Sequence, residues 1–312
     1  MSREALTSTH GSEMYRNLLD HIREKAEAVG REEQISIVET VTVARNLISE
    51  YDRCEELLEV TSGYYDPLDF AISHAANVAI YSLRLARGMG LSETEVEDTV
   101  IAGLLHDIGF SRIPVYSRDE EEFLQYEDDP DRAMSEEDFK LVLMHSRFGH
   151  DAILPEDDRA ELIADIILQH HEKADGSGYP DGLRESDQLI PARIISIIDT
   201  YEALIHPRPF RDALVPPQGF EAIKAQVNGA YSVGMIKELL RAFSIYPVGH
   251  FVRLSNGSIG RVIETHREYP FRPVITLLFD PRGERIDPPR RIDLAEEQML
   301  SVSECLPRYR QQ

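Results

Sequence analysis

The chain has 312 residues, and its 33 Lys and Arg against 56 Asp and Glu leave a formal net charge of −23. A phosphate polymer or an anionic membrane would be repelled by that charge, so neither nucleic acid nor a membrane is expected as a partner. The net charge does not exclude a small anionic ligand, because a metal ion or an arginine cluster can make the electrostatic potential positive locally. The length predicts one large domain with additions, or two to three units.

The expected compartment is the cytoplasm. The sequence contains no apolar run long enough to span a bilayer, and its first residues lack an apolar signal core. The two cysteines, Cys54 and Cys305, lie far apart and fall in no metal-ligand spacing. A reduced environment is the simplest interpretation of these features.

Residues 1–65 are predicted to form an N-terminal helical region. Apolar residues recur at helical spacing from Leu18 to Val29, with Gly30 as the stop, and again from Ile35 to Tyr51. A break follows at Gly63–Pro67. These helices either cover the main domain or form a dimerisation or signal-input element.

After residue 65 the predicted secondary structure is first helical and then changes to β-strand. Residues 66–245 are predicted to be mostly helical, with Ser92 and Glu95 forming a capping box. Residues 246–312 are predicted to form a small β unit, because Asn256-Gly257 between two apolar runs is a strong hairpin signal. A further strand is expected over Pro273–Phe279. The predicted fold class is therefore mainly α, with a small C-terminal β unit.

A set of polar residues lies in or at the end of apolar helical stretches. The set consists of His74, His106, Asp107, His145, His170, His171 and Asp199. Buried imidazoles and carboxylates cost several kcal/mol unless they are paired or bind a metal. Each residue taken singly is more often a hydrogen-bonded structural residue, but the ordered set favours a cation. Imidazole and carboxylate ligands without thiolates suit Fe, Mn or Zn, and argue against a structural zinc site.

Three segments resemble the HD-GYP subgroup of the HD phosphohydrolase superfamily. They are H-D-I-G at His106–Gly109, H-H-E-K-A-D-G-S-G-Y-P-D-G-L at His170–Leu183, and D-T-Y-E-A-L-I-H-P-R-P-F-R at Asp199–Arg211. The resemblance extends over about Leu68–Phe243, and the Gly-Tyr-Pro run is highly specific. The tail from Tyr246 is similar to a β extension that follows many such domains.

The resemblance implies an all-helical HD bundle that hydrolyses cyclic di-GMP with two divalent transition-metal ions, of which iron is favoured. One ion would be held by His74, His106, Asp107 and Asp199. Asp107 would bridge to a second ion held by His145 and His170, with His171 as a further ligand or a substrate contact. Asp107 and His171 are thus the expected catalytic residues.

The resemblance also implies a substrate site. Its expected members are Arg208, Arg211, Tyr179, Gly178 and Pro180. The two arginines match positions that hold substrate phosphates, for which guanidinium forks are suited. Tyr179 either stacks on a base or packs structurally, and packing is favoured. Glu172 is expected to orient a ligand histidine.

The mechanism that follows from the resemblance is attack by a metal-bridging hydroxide on phosphorus. The products would be pGpG, GMP or both. An alternative is a catalytically weak receptor of the same fold that binds the nucleotide or a diguanylate cyclase or other signalling protein. Hydrolysis of another cyclic dinucleotide is a further alternative. The oligomeric state is not determined by the sequence, and a homodimer is possible.

Two positions and one longer stretch depart from the family pattern. Phe110 stands where the family has a Lys that helps to hold the substrate phosphate, so the expectation is slow turnover. Phe70 stands where some members have a Glu that supports a third metal, so two metals are expected. The acidic stretch from Arg118 to Asp138 is either a solvated surface loop or a lid that excludes anions.

Overall fold

The computed structural model describes residues 10–51, 61, 70–113, 136–206, 213–266 and 268–306. These residues fall into two compact units. The first unit contains the described residues up to His206 together with Gln226–Ser232, and the second contains the rest. The fold is mainly helical with one antiparallel sheet, which confirms the predicted class. The boundaries placed at 65/66 and 245/246 stay predictions.

The first unit is a helical bundle. Its helices are α1 (His10–Gly30), α2 (Val38–Tyr51), α3 (Phe70–Met89), α4 (Glu93–Leu105), α5 (Glu136–Leu143), α6 (His145–Ala152), α7 (Asp158–Gln169) and α8 (Ile190–Ile205). The described residues of this unit also form two 3₁₀ segments, Ile108–Arg112 and Glu185–Asp187. Within the described residues, no helix is both long and apolar enough to cross a membrane.

Helices α3 and α4 form the centre of the bundle. Helix α4 begins at the predicted capping box, in which Glu95 N donates to Ser92 Oγ and Ser92 N donates to Glu95 Oε2. The two helices approach closely at Gly103, where a Cβ would lie 3.0 Å from Ala79 Cα. This contact places the C-terminal end of α4 against α3, and the first candidate ligands lie there.

Helix α1 packs on α3 and on the first 3₁₀ segment. Its apolar stripe is buried, as Leu18, Leu19 and Ile22 illustrate, and the helix ends at Gly30 as predicted. The N-terminal helices therefore cover the first unit. Their use as a dimerisation or input element stays a prediction, and the break predicted at Gly63–Pro67 lies outside the described residues.

The second unit contains α9 (Pro216–Lys224), α10 (Val233–Ala242) and a five-stranded antiparallel sheet. The strands are β1 (Phe251–Leu254), β2 (Ile259–Glu264), β3 (Val274–Phe279), β4 (Arg285–Asp293) and β5 (Val302–Leu306), in the order β4-β3-β2-β1-β5. The predicted hairpin joins β1 to β2, with Gly257 at φ 90°. The small β unit is thus confirmed.

Candidate metal centre

The structure brings all seven of the predicted ligands together. His74 lies on α3, His106 and Asp107 follow α4, His145 begins α6, His170 and His171 follow α7, and Asp199 lies on α8. Six of these side chains form two overlapping groups, His74–His106–Asp107 and Asp107–His145–His170–His171. The ligand atoms of each group lie within 4.8 Å of one another, so each group could hold a divalent metal ion.

Asp107 lies between the two groups and turns one oxygen toward each. Its Oδ2 is 3.3 Å from His106 Nε2 and 3.7 Å from His74 Nε2. Its Oδ1 is 3.5 Å from His145 Nε2 and 3.6 Å from His170 Nε2. A carboxylate placed in this way can bridge two cations.

The backbone fixes the tautomer of three of the imidazoles. Nδ1 of His106, His145 and His170 donates to the carbonyl oxygen three residues earlier, at 2.9, 2.6 and 2.6 Å. Each Nε2 therefore presents a lone pair to the centre. This is how metal-binding histidines are usually oriented, with the second ring nitrogen held by a hydrogen bond.

Two observations in the centre indicate a site for cations. Nε2 of His145 lies 3.3 Å from Nε2 of His170, although both atoms carry lone pairs when the Nδ1 atoms hold the protons. Nε2 of His106 is buried without a hydrogen-bond partner in the described structure. Buried acceptors without a donor are costly, and a metal ion in each of the two groups would satisfy these atoms. The donor set therefore fits the metals that the sequence suggested.

Asp199 stands at the edge of the first group. Its Oδ1 is 3.0 Å from His74 Nε2, and its Oδ2 is 3.9 Å from His171 Nδ1. The structure thus places Asp199 beside His74, as the resemblance implied, and also beside His171.

Sequence reasoning missed Glu202. Its Oε2 accepts a hydrogen bond from His74 Nδ1, and its side chain is buried. The signal was present, because Glu202 lies one helical turn after Asp199 in an otherwise apolar helix. A buried carboxylate at that position needs a partner, and His74 supplies it.

Charge interactions hold the acidic groups of the centre in their ionised form. Burial would raise the pKa of Glu202, but the nearby His74 and His206 outweigh it and lower the pKa to about 2. Burial also opposes ionisation of Asp107, yet the imidazole of His106 and its neighbours hold that pKa well below its usual range. Burial lowers the pKa of His145 to about 4. Carboxylates and a neutral imidazole are the forms that bind cations.

The loop after α7 folds back over the centre. The ring of Tyr179 stacks on that of His171, with centroids 4.7 Å apart and 29° between the planes. Gly178 permits this fold, because a Cβ there would lie 2.4 Å from both His171 O and Lys173 N. Tyr179 packs on His171 in this loop and Pro180 follows it, while the choice between stacking on a base and structural packing stays a prediction.

The prediction for Glu172 was wrong. Its carboxylate accepts hydrogen bonds from the backbone N–H groups of Asp181, Gly182 and Leu183, at 2.7, 3.0 and 2.9 Å, rather than holding a ligand histidine. The carboxylate is buried and lies directly below a turn whose amides need acceptors. Glu172 thus fixes the loop that carries Tyr179.

Gly109 and Phe110 set the position of His145. A Cβ at Gly109 would lie 1.9 Å from His145 O, so only glycine permits this approach of the 3₁₀ segment to α6. The ring of Phe110 is nearly parallel to that of His145, with centroids 4.0 Å apart. The residue that replaces the family's lysine therefore packs on a candidate ligand. Arg208, Arg211 and most of the acidic stretch from Arg118 to Asp138 lie outside the described residues.

The helical bundle and its buried imidazole and carboxylate cluster define a helical protein with a site that could hold metal ions. Residues 65–231 match a family model described as an HD domain, and the chain belongs to that family. Residues 251–309 match a model described as a KOW domain associated with the HD domain. The resemblance noted in the sequence is thus confirmed, together with the β extension.

Curated relatives share the HD region. The chain is 31% identical over 232 residues to the cyclic di-GMP phosphodiesterase PA4108 of Pseudomonas aeruginosa, an alignment over 72% of this chain and 52% of that protein. It is 28% identical to the cyclic di-GMP phosphodiesterase response regulator RpfG of Xanthomonas campestris, over 72% of this chain and 56% of that protein. The chain therefore spans about half the length of the curated relatives it matches.

Two further comparisons bear on substrate and fold. The 3'3'-cGAMP-specific phosphodiesterase 2 of Vibrio cholerae is 31% identical, over 54% of this chain and 30% of that protein. The solved structure of Bd1817 from Bdellovibrio bacteriovorus superposes with a TM-score of 0.54 at 21% identity. The superposition covers 76% of this chain and 74% of that one, and it supports the fold alone.

Proposed function

We propose that this chain is a metal-dependent phosphodiesterase that hydrolyses cyclic di-GMP to pGpG, GMP or both. The observation that carries the proposal is the placement of Asp107, with one oxygen toward each of two imidazole groups. Relatives named as cyclic di-GMP phosphodiesterases support the choice of substrate. The region proposed to carry the activity is residues 66–245.

The proposed ions are two divalent transition metals, with iron favoured and manganese or zinc as alternatives. His74, His106, Asp107 and Asp199 would hold one, and Asp107, His145, His170 and His171 the other. When bound, such a pair supplies Lewis acidity and lowers the pKa of a coordinated water. The mixed imidazole and carboxylate set, without thiolates, supports this choice of metals.

The remaining roles belong to side chains around the centre. His171 lies at the surface of the cluster under Tyr179, so we assign it to substrate contact as well as to metal binding. Tyr179, Gly178 and Pro180 form the wall of the proposed substrate site. Arg208 and Arg211 would bind the phosphates, since guanidinium groups pair well with phosphate oxygens.

The proposal is tested with protein purified without oxygen. We expect close to two transition-metal ions per chain, and conversion of cyclic di-GMP to pGpG or GMP in the same sample. Parallel incubation with 3'3'-cGAMP determines the preferred cyclic dinucleotide. Two bound metals without hydrolysis of either compound would refute the enzyme, and tight binding of cyclic di-GMP in that case would favour a receptor.

The arginine pair is expected to control substrate affinity. Replacing both Arg208 and Arg211 with Ala should weaken cyclic di-GMP binding on the order of a hundredfold or more, because each charge-assisted contact contributes roughly 1.5–3 kcal/mol. Metal content should stay unchanged. Affinity is measured by calorimetry. The variant Arg253→Ala, which disrupts the exposed pair Arg253 and Glu304, is the control for general loss of positive charge. Equal affinity of parent and double variant would contradict the assignment.

Phe110 is expected to limit turnover. The variant Phe110→Lys restores a cation near the site, so hydrolysis of cyclic di-GMP should become faster. The change also removes the stack on His145, and an aromatic pair contributes about 0.5–1.5 kcal/mol. Phe110→Leu measures that loss alone and should slow the reaction. Steady-state rates of the three proteins separate the two effects. A Lys variant no faster than the Leu variant would show that the absence of the lysine charge does not limit turnover.

A further inference from the structure

Three buried polar side chains connect helix α1 with the metal centre. Tyr15 OH donates to Asn77 Oδ1 at 2.8 Å, and Asn77 Nδ2 donates to Glu202 Oε1 at 2.8 Å. The other oxygen of Glu202 accepts from His74 Nδ1. The exposed fractions of Tyr15, Asn77 and Glu202 are 0%, 2% and 3%, so water does not compete for these bonds.

The chain of hydrogen bonds has a single direction. Asn77 must turn its amide N–H toward Glu202, because its carbonyl oxygen would otherwise face a carboxylate. The carbonyl oxygen then faces Tyr15, whose hydroxyl donates to it. Glu202 is left as an acceptor for His74 Nδ1–H, which leaves His74 Nε2 to face Asp107 and Asp199. The tautomer and ring orientation of His74 are therefore fixed by Glu202 and by the two residues behind it, none of which belongs to the candidate ligand groups.

The hydroxyl of Tyr15 is not needed for packing of the helix. Neighbouring positions on the same face of α1, Leu18, Leu19 and Ile22, are apolar and buried. An aromatic ring without a hydroxyl would fill the same space. A buried polar network of this kind adds directionality that an apolar contact cannot supply, provided that every member is satisfied.

We propose that Tyr15 and Asn77 are positioning residues for the metal ligand His74, and that they act through Glu202. This inference rests on the proposed metal centre. It gives α1 a role beyond covering the bundle, because its Tyr15 is the outermost donor of the network. A displacement of α1 would then change how firmly the ion next to His74 is held.

The test measures metal release from the full chain. Protein loaded with Co²⁺ is mixed with a chelator, and the loss of its visible absorption bands gives the release rate. Asn77→Asp keeps the shape of the side chain but places two carboxylates together, so release should accelerate roughly 10–100-fold, the range found for partners of metal ligands. Tyr15→Phe removes one hydrogen bond farther away and should accelerate release about two- to tenfold.

Thr40→Val is the matched control. It removes another buried hydroxyl packed against α1, whose oxygen lies 3.0 Å from His21 Nε2, and it leaves the network to His74 intact. Its release rate should equal that of the parent. The absorption bands should also shift in Asn77→Asp and not in Thr40→Val, a change that loss of stability alone does not produce.

Two results would overturn the inference. Release rates and spectra of Asn77→Asp and Tyr15→Phe that match the parent would remove the positioning role and leave the phosphodiesterase proposal untouched. Equal acceleration in Thr40→Val would reduce the effect to general destabilisation of α1. Because the probe is Co²⁺ alone, a failure to hydrolyse cyclic di-GMP does not affect this test, whereas a parent that binds no Co²⁺ would refute both proposals.

Discussion

Replacing Asp107 with Ala is expected to remove both metal ions and to lower hydrolysis of cyclic di-GMP on the order of a thousandfold or more. Asp107 is the residue whose two oxygens face both imidazole groups, so neither group keeps its ligand set without it. The loss should exceed the 10–100-fold that changes around a metal ligand typically cause. Metal analysis and steady-state rates on the same sample measure it.

The control for Asp107 is Asp151. Asp151 also pairs with an imidazole, that of His150, with 2.8 Å between Oδ1 and Nδ1, but neither residue belongs to the two candidate ligand groups. Asp151→Ala should keep its metal and its activity. His106→Ala should behave like Asp107→Ala at the first group while the circular dichroism spectrum stays helical. Full metal content in Asp107→Ala would refute the bridging role.

Among the glycines that the structure describes, Gly109 is the one whose replacement by Ala is expected to be most damaging. The added Cβ would lie 1.9 Å from His145 O and 2.5 Å from Gly149 N, both of them backbone atoms that cannot turn aside. Overpacking of this kind costs typically about 1–3 kcal/mol and sometimes more. The 3₁₀ segment and α6 must separate, which moves His145 away from Asp107 and should empty the second group.

Thermal unfolding and metal content measure the two consequences of Gly109→Ala. Gly229→Ala is the matched control, because a Cβ there would meet its nearest atoms at 3.7 Å, an ordinary contact. We expect a lower unfolding temperature and close to one ion per chain in Gly109→Ala, and parent values in Gly229→Ala. A Gly109→Ala protein with the parent's stability and metal content would contradict the packing argument.

The grouping of the candidate ligands was predictable because chemically costly residues occur in apolar helices. Asp107 and His170 follow apolar stretches, so their positions did not suggest exposure to solvent. The motifs that contain them also resemble a known family. Asn77 was not identified because a single polar residue on a helix is usually solvent-exposed, and Glu202 was not identified although its spacing from Asp199 was a signal. Only the packing of α3 against α8 shows that both are buried and bonded to each other.

The parts of the fold that were missed have a common physical reason. Strand β4 contains Asp287-Pro288-Pro289 and two adjacent arginines, so it lacks the apolar alternation that predicts a strand. It is tolerated because it lies at the edge of the sheet, where proline removes no needed donor. The Glu172 error was similar, since its true partners are backbone amides that carry no sequence signal.

The three histidines that donate from Nδ1 also terminate helices. The carbonyl groups of Gly103, Val142 and Ile167 belong to the last turns of α4, α5 and α7, where no backbone N–H follows to satisfy them. Each ring thus closes a helix with one nitrogen and offers the other to a cation. Ion binding and helix termination are therefore thermodynamically linked. In the proposed centre, the ions bound to these three Nε2 atoms would protect three helix ends from fraying, and fraying of any one end would weaken the hold on the ion next to it.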